Sequence, residues 1–348
     1  MAEANIPENF EILKRLLLTH LNNSIDKGIN WLLSIRDSRT YGWGRVPSLL
    51  PDPFSTADSL LVLAAADALP SDYIQSIEYI YKTAIITPDY IYWPRYSPQT
   101  DSAIPSPVHT AVVIYDLIMT GEDPKSDLIQ RCIQWLIDVR DSKTHGWKWV
   151  ITEGYPSPLA TVFVLMALRV AGVSLSEIEG SVEFVFNNIN PDFGWGYENG
   201  GISNPGETAF ILTGLSEFFG TYLINSKEDI LNNSILWLMS QQQSNGSFLD
   251  IGRSYRVTRN TSWSIITFLL YGANPFSEQV LSPISWLLET QEKIGYWSSD
   301  NKYSLAPSVR DTHDALLALI TFKKVVEYYN KNKNTKKWKF SEAIQHAL

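Results

Sequence analysis

The chain has 348 residues, a net charge of −9 and 45 % hydrophobic residues, 12 of its residues being Trp; this acidic balance excludes nucleic acid as an expected partner, because phosphate binding needs a basic surface. Its lone cysteine, Cys132, excludes an internal disulfide and any multi-cysteine metal cluster. The opening MAEANIPENF lacks the order of a secretory signal, and Asp67 cuts short the longest apolar candidate span, Leu60 to Ala66; a soluble cytoplasmic protein is expected.

Six segments of apolar, helix-like sequence open on a threonine, at Thr56, Thr110, Thr161, Thr208, Thr261 and Thr312. A period of about 50 residues signals a repeat architecture. The repeats span about 24–70, 71–121, 125–172, 175–220, 226–272 and 276–322, and the whole of 1–348 reads as one domain. The first repeat has a helix ending at Trp31-Leu-Leu-Ser-Ile-Arg36, a turn at Gly42-Trp43, and Pro53 before the second helix. In the second repeat Tyr79 takes the anchor position and Pro107 precedes Thr110. The third repeats the pattern with Trp135, Gly146-Trp147 and Pro158, and the fourth with Phe184, Gly194-Trp195 and Pro205. The fifth has Trp237 and Gly246-Ser-Phe248, and the sixth Trp286 and Gly295-Tyr-Trp297. Each Gly is expected to supply the positive φ that closes its turn, and each Pro to start a helix where a missing N–H costs nothing. A C-terminal helix is expected over 323–348. Its basic stretch, Lys323 to Phe340, suggests a solvated face or transient contact with anionic lipid.

Six helix pairs make the fold class all-α, an (α/α)6 toroid of six outer and six inner helices. In the Thr-headed helices, the residues four and seven places on are aliphatic or Phe in every repeat, so that stripe packs the ring. The column one place before the Thr (Ser55, His109, Ala160, Glu207, Asn260, Asp311) and the column two places after it (Asp58, Val112, Phe163, Phe210, Trp263, Asp314) share another face. Their variety points that face toward a central cavity.

These turns carry a Gln-x-x-x-Gly-x-Trp pattern, complete at Gln291-Glu-Lys-Ile-Gly295-Tyr-Trp297 and nearly so at Gln242-Gln-Ser-Asn-Gly246-Ser-Phe248, with degenerate copies at Arg36 to Trp43 and Arg140 to Trp147. Over about residues 24 to 321 the chain resembles the squalene- and oxidosqualene-type class II terpene cyclases and the related protein prenyltransferase beta subunits. The resemblance implies an alpha/alpha toroid acting on a hydrophobic isoprenoid without a cofactor. It also implies an Asp-x-Asp-Asp-Thr-Ala motif whose middle Asp protonates an alkene or epoxide. Only Asp311 and Thr312 of Ser308-Val-Arg310-Asp311-Thr312-His313 match it, and Arg310 occupies the donor position. Either the acid has moved to another repeat, or the toroid is not a protonating cyclase.

The acid candidates are therefore Asp311, His109, Glu207 and Asp58. Each has a structural alternative: Asp311 as a helix cap, His109 as a hydrogen-bonded cavity residue, Glu207 as a first-turn acid favoured by the helix dipole, and Asp58 as a surface group. Phe163, Phe210 and Trp263, with Asn260, Asp314 and Phe54 on or beside that face, are the candidate substrate contacts. The turn tryptophans read as structural. Zinc of the prenyltransferase kind is not expected, because Cys132 lies in an outer helix. Two alternatives stand beside the cyclase: a glycoside hydrolase using Glu207 with Asp311, and a toroid that binds an isoprenoid, peptide or partner without chemistry.

Overall fold

The computed structural model describes residues 8–95, 103–152, 154–251, 256–298, 306–332 and 337–345. In chain order the helices are α1 (Glu8–Ser34), α2 (Pro53–Ala65), α3 (Tyr73–Lys82), α4 (Pro107–Met119), α5 (Asp127–Asp138), α6 (Pro158–Val170), α7 (Leu175–Asn187), α8 (Pro205–Leu215), the one-turn α9 (Tyr222–Asn225), α10 (Glu228–Ser240), α11 (Val257–Leu270), α12 (Glu278–Thr290), α13 (Val309–Asn332) and α14 (Phe340–Gln345). Two short antiparallel ladders accompany them: Ile85 and Ile86 pair with Tyr92 and Ile91, and Trp297 and Ser298 pair with Ser308 and Pro307.

Helices α2, α4, α6, α8, α11 and α13 form a closed inner ring. Each packs on the next, and α13 returns to α2. Outside it, α3, α5, α7, α10 and α12 each pack on an inner helix, and α1 packs on α13 and α12. Gln291 helps to seal this outer seam, its Nε2 donating to the Ser24 carbonyl at 2.9 Å and its Oε1 accepting from Ser24 Oγ at 2.7 Å.

The inner helices start where the sequence places their signals. Asp52, Ser106, Ser157 and Asn204 are N-caps, each accepting a backbone N–H from the first turn, and each is followed by Pro. The threonine column has one job in all six repeats. Each Thr Oγ1 accepts the backbone N–H of a buried turn aromatic: Trp43 to Thr56 at 3.0 Å, Trp93 to Thr110 at 2.9 Å, Trp147 to Thr161 at 3.0 Å, Trp195 to Thr208 at 2.8 Å, Phe248 to Thr261 at 3.0 Å and Trp297 to Thr312 at 3.0 Å. The five tryptophans then donate their indole N–H to an outer-helix carbonyl at 2.6 to 3.0 Å. One side chain thereby staples the start of an inner helix to the end of an outer one.

Two expectations are corrected. In three turns the positive φ belongs not to the glycine but to the residue before it, Tyr41 (60°), His145 (60°) and Phe193 (67°), whereas Gly246 and Gly295 take it themselves. Gly42, Gly146 and Gly194 are instead required by close approach, since an added Cβ would lie 2.9 Å from Thr56 Oγ1, 2.7 Å from the Phe184 ring and 2.5 Å from Ser203 Cβ, respectively. The expected terminal helix over 323–348 is not a separate element either. The sixth inner helix runs on to Asn332, and the tail then folds back with Trp338 and Phe340 buried. No helix among the described residues is long and apolar enough to cross a membrane.

Candidate active site

The inner ring surrounds a central cavity of about 40 Å³. All six residues two places after the threonines line it: Asp58, Val112, Phe163, Phe210, Trp263 and Asp314. The next turn adds Leu61, Tyr115, Met166 and Leu317, while Phe54 and Arg310, two places before their threonines, line it nearer the helix N-termini. The column one place before the threonine contributes nothing to this lining. That column lies in the first helical turn, where the N-cap bonds are made.

The cavity is two-sided. On α6, α8 and α11 the rings form a continuous wall, with Phe163 to Phe210 at 4.2 Å between centroids and Phe210 to Trp263 edge-on at 4.7 Å. The opposite half, on α13, α2 and α4, carries Arg310, His313, Asp314, Asp58 and Asp116. Several buried polar atoms of this lining have no hydrogen-bond partner among the described residues: the Tyr115 hydroxyl, Trp263 Nε1, His313 Nε2 and Asp116 Oδ2. Buried polar atoms are normally paired, so these leave donors and acceptors open to the cavity on both of its walls.

Asp116 is the residue that the sequence patterns did not single out. It sits six places after Thr110, within the apolar run Val-Val-Ile-Tyr-Asp-Leu-Ile-Met, and an acid inside such a run was the available signal. Burial pushes its carboxyl well above the usual carboxylate range, and the charge of Asp58 and a hydrogen bond between the two side chains push it further, against the nearby Arg310. Burial and the neighbouring Asp58 carboxyl both favour the protonated form of Asp116, which borders an aromatic cavity.

The other candidates are placed as follows. Asp311 is buried and pushed up to about 6 by burial, helped by Asp314 and opposed by a hydrogen bond from Ser308 and by Arg259 and Arg310; it does not line the void. For Asp314 burial acts upward, but the hydrogen bond with His313 and the charges of Arg259 and Arg310 hold its carboxyl below the usual range. Its Oδ1 lies 3.2 Å from His313 Nδ1 and its Oδ2 3.9 Å from Arg259 Nε. His109 is held neutral, its pKa lowered to about 3 by burial and then by Arg45, Arg310 and Arg95; it packs on Phe54 at 5.1 Å, and its Nδ1 is 2.8 Å from Ser106 Oγ. Glu207 pairs with Arg256 at 3.2 Å in a separate outer hollow. Asn260 is buried between helices, its Oδ1 filling the space beside Gly206 that a Cβ would need. The structure therefore brings together Asp58, Phe54, Phe163, Phe210, Trp263 and Asp314, and leaves Asp311, His109, Glu207 and Asn260 outside that lining. Among the described residues no group of three His, Cys, Asp or Glu side chains is placed to hold a metal ion.

No family model matches the sequence, and no curated protein matches it. Solved structures do. The type II terpene cyclase MstE from Scytonema, in complex with geranylgeranyl dihydroxybenzoate, superposes with a TM-score of 0.63 at 14 % identity, over 89 % of this chain and 99 % of that one. The ent-copalyl diphosphate synthase from Streptomyces platensis gives 0.53 at 19 % identity, over 78 % of this chain and 52 % of that one. Candida albicans protein geranylgeranyltransferase-I, complexed with GGPP, gives 0.55 at 14 % identity, over 85 % and 90 %. The chain therefore has the all-α toroid fold shared by type II terpene cyclases and protein prenyltransferases.

Proposed function

We propose that this chain is a class II-type terpene cyclase that starts polyene cyclisation by protonation, with Asp116 as the acid and Asp58 as the partner that keeps it protonated. The observation that carries this reading is a buried carboxyl, Asp116, lining the same cavity as Asp58 and the rings of Phe163, Phe210 and Trp263. An alkene is a weak base, so its acid must be undissociated and dry. Burial and a like-charged neighbour supply both conditions.

In the proposed step the Asp116 proton goes to the distal alkene of a prenyl chain. A C–H bond forms, a tertiary carbocation is left, and Asp116 becomes a carboxylate that regains its proton from solvent after the product leaves. Successive alkenes then attack the cation, each step forming a C–C bond. The faces of Phe163, Phe210 and Trp263 stabilise the migrating charge, each by about 0.5–2 kcal/mol. His313 Nε2, unpartnered on the opposite wall, takes the final proton, with Asp314 orienting the ring through Nδ1. Arg310, beside Phe54 nearer the helix N-termini, suits an anionic or oxygen-rich head group. The net reaction is an isomerisation that needs no cofactor. Scytonema MstE in complex with geranylgeranyl dihydroxybenzoate supports a prenylated aromatic acid as one substrate class to try.

The test is incubation of the purified protein with prenyl chains on diphosphate and on aromatic carboxylate head groups, followed by mass spectrometry. Isomers of unchanged mass, lost in Asp116→Asn, support the reading. Turnover that survives Asp116→Asn overturns the assignment of the acid.

A further inference from the structure

Of the residues that line the central void, all but one belong to the inner helices; the exception is Phe340, in the tail beyond the six repeats. A ring of helices alone is a tube. This tube is closed across the C-terminal ends of its helices, away from the N-caps, by the segment from Lys337 to Gln345. The Phe340 ring lies parallel to Tyr115 at 6.2 Å and edge-on to Trp263 at 5.7 Å, and it is 1 % exposed.

The segment is held in place by several independent bonds. Trp338 N donates to the Leu270 carbonyl at 2.8 Å, and Phe340 N to Ser216 Oγ at 3.0 Å. Ser341 gives both its N–H and its hydroxyl to the Glu217 carboxylate, each at 2.6 Å. The Trp338 ring meets Tyr328 edge-on at 4.7 Å. These anchors lie on or just past the ends of α8 and α11 and on the extension of α13, which fixes the floor relative to the ring.

The floor also lies next to the acid, since Tyr115, on which Phe340 stacks, precedes Asp116. We propose that Phe340 is the stop against which the far end of a prenyl chain abuts, so that the tail sets the chain length accepted and the double bond presented to Asp116. This rests on the cyclase reading only for the second clause. Beside the tail is a second hollow, lined by Phe219, Ile224 and Leu231 together with the charged Glu228, Lys337, Lys339 and Glu342. Shortening Phe340 itself vacates the space of its ring at the end of the central cavity.

The test uses full-length protein and saturated, unreactive prenyl carboxylates of geranyl, farnesyl and geranylgeranyl length, with binding followed by quenching of tryptophan fluorescence. Wild type should prefer one length. Phe340→Leu and Phe340→Ala should move the preference to the next longer chain, and Phe340→Trp should penalise the longest chain bound. The ratio of Kd values for adjacent lengths should change by at least about tenfold, as expected when an apolar pocket gains or loses a methylene or more. Phe340→Leu keeps most of the packing should the alanine variant not fold. Unchanged ratios in folded Leu and Trp variants overturn the proposal, as does wild-type protein that binds none of the three. Length-selective binding that shifts as stated, in a protein that cyclises nothing, upholds the floor and removes the cyclase reading.

Discussion

Replacing Asp116 by Asn removes the proposed acid and little else. The amide is isosteric with the carboxylic acid, and its N–H can still donate to Asp58, so the buried hydrogen bond survives. General acids contribute roughly 10²–10⁴-fold to rate. The cavity has only about 40 Å³ of free space, so solvent is a poor substitute, and the loss should lie at the upper end of that range. Stability should move the other way with pH. Burial raises the Asp116 pKa above the ordinary 3.8, so the folded state holds its proton more tightly than the unfolded chain. That contribution is full below pH 3.8 and is lost progressively as pH rises through the folded value. Asparagine does not titrate, so the variant should lose part of the fall in Tm as pH rises above 3.8. Product formation by mass spectrometry, with Tm across that range, measures both. A variant that keeps more than about a tenth of wild-type turnover, against the losses expected on removing a general acid, refutes the argument.

Further substitutions separate the roles. Asp58→Asn removes the neighbouring charge that helps to hold the proton on Asp116, so activity should persist at low pH and decline at a lower pH than in wild type; complete loss at every pH, with Asp116→Asn active, would exchange the two roles. Asp311→Asn and Glu207→Gln should keep at least about half of wild-type turnover, since neither side chain lines the void and substitutions away from such a site have small effects; a loss comparable to Asp116→Asn would return the acid to the helix starts. Glu217 is pushed up to about 7 from 4.5, chiefly by burial, opposed by the Ser341 hydrogen bonds, Lys339 and Arg169, so its contribution falls by about 3 kcal/mol as pH rises through that window. Glu217→Gln should flatten the fall in Tm there, and an unchanged Tm profile would contradict the assignment. Thr161→Val leaves the Trp147 N–H buried without its acceptor, which should cost about 1–3 kcal/mol in chemical denaturation while the product spectrum stays the same.

The ring was legible in the sequence because its construction is local. A capping residue, the Pro after it and a Thr in the first turn lie within a few residues of one another, the turn aromatic lies 13 to 17 residues before the Thr, and the pattern recurs. Trp93 escaped notice although it does what Trp43 does, because Tyr92-Trp93-Pro94 has no Gly beside it. The glycine φ angles were misplaced by one residue because an aromatic in the left-handed region is uncommon and a Gly next to it draws the assignment. The site was half legible. Helical angle identified the column two places after the threonine, but not which turns of each helix reach the cavity, so the column one place before the threonine was included and the next turn, with Tyr115 and Met166, omitted. Asp116 pairs with Asp58 across two helices, and Phe340 reaches Tyr115 only through the fold-back of the tail. Neither contact has a period in the sequence.

The central claim is that a carboxylic acid on this wall gives its proton to a carbon atom. Running the reaction in D₂O with an accepted prenyl substrate, after exchange of the protein, tests it directly. The account predicts an isomer of the substrate that carries one solvent deuterium at the carbon protonated first, formed by wild type and not by Asp116→Asn. Product without carbon-bound deuterium, or equal labelling from the Asn variant, would contradict it.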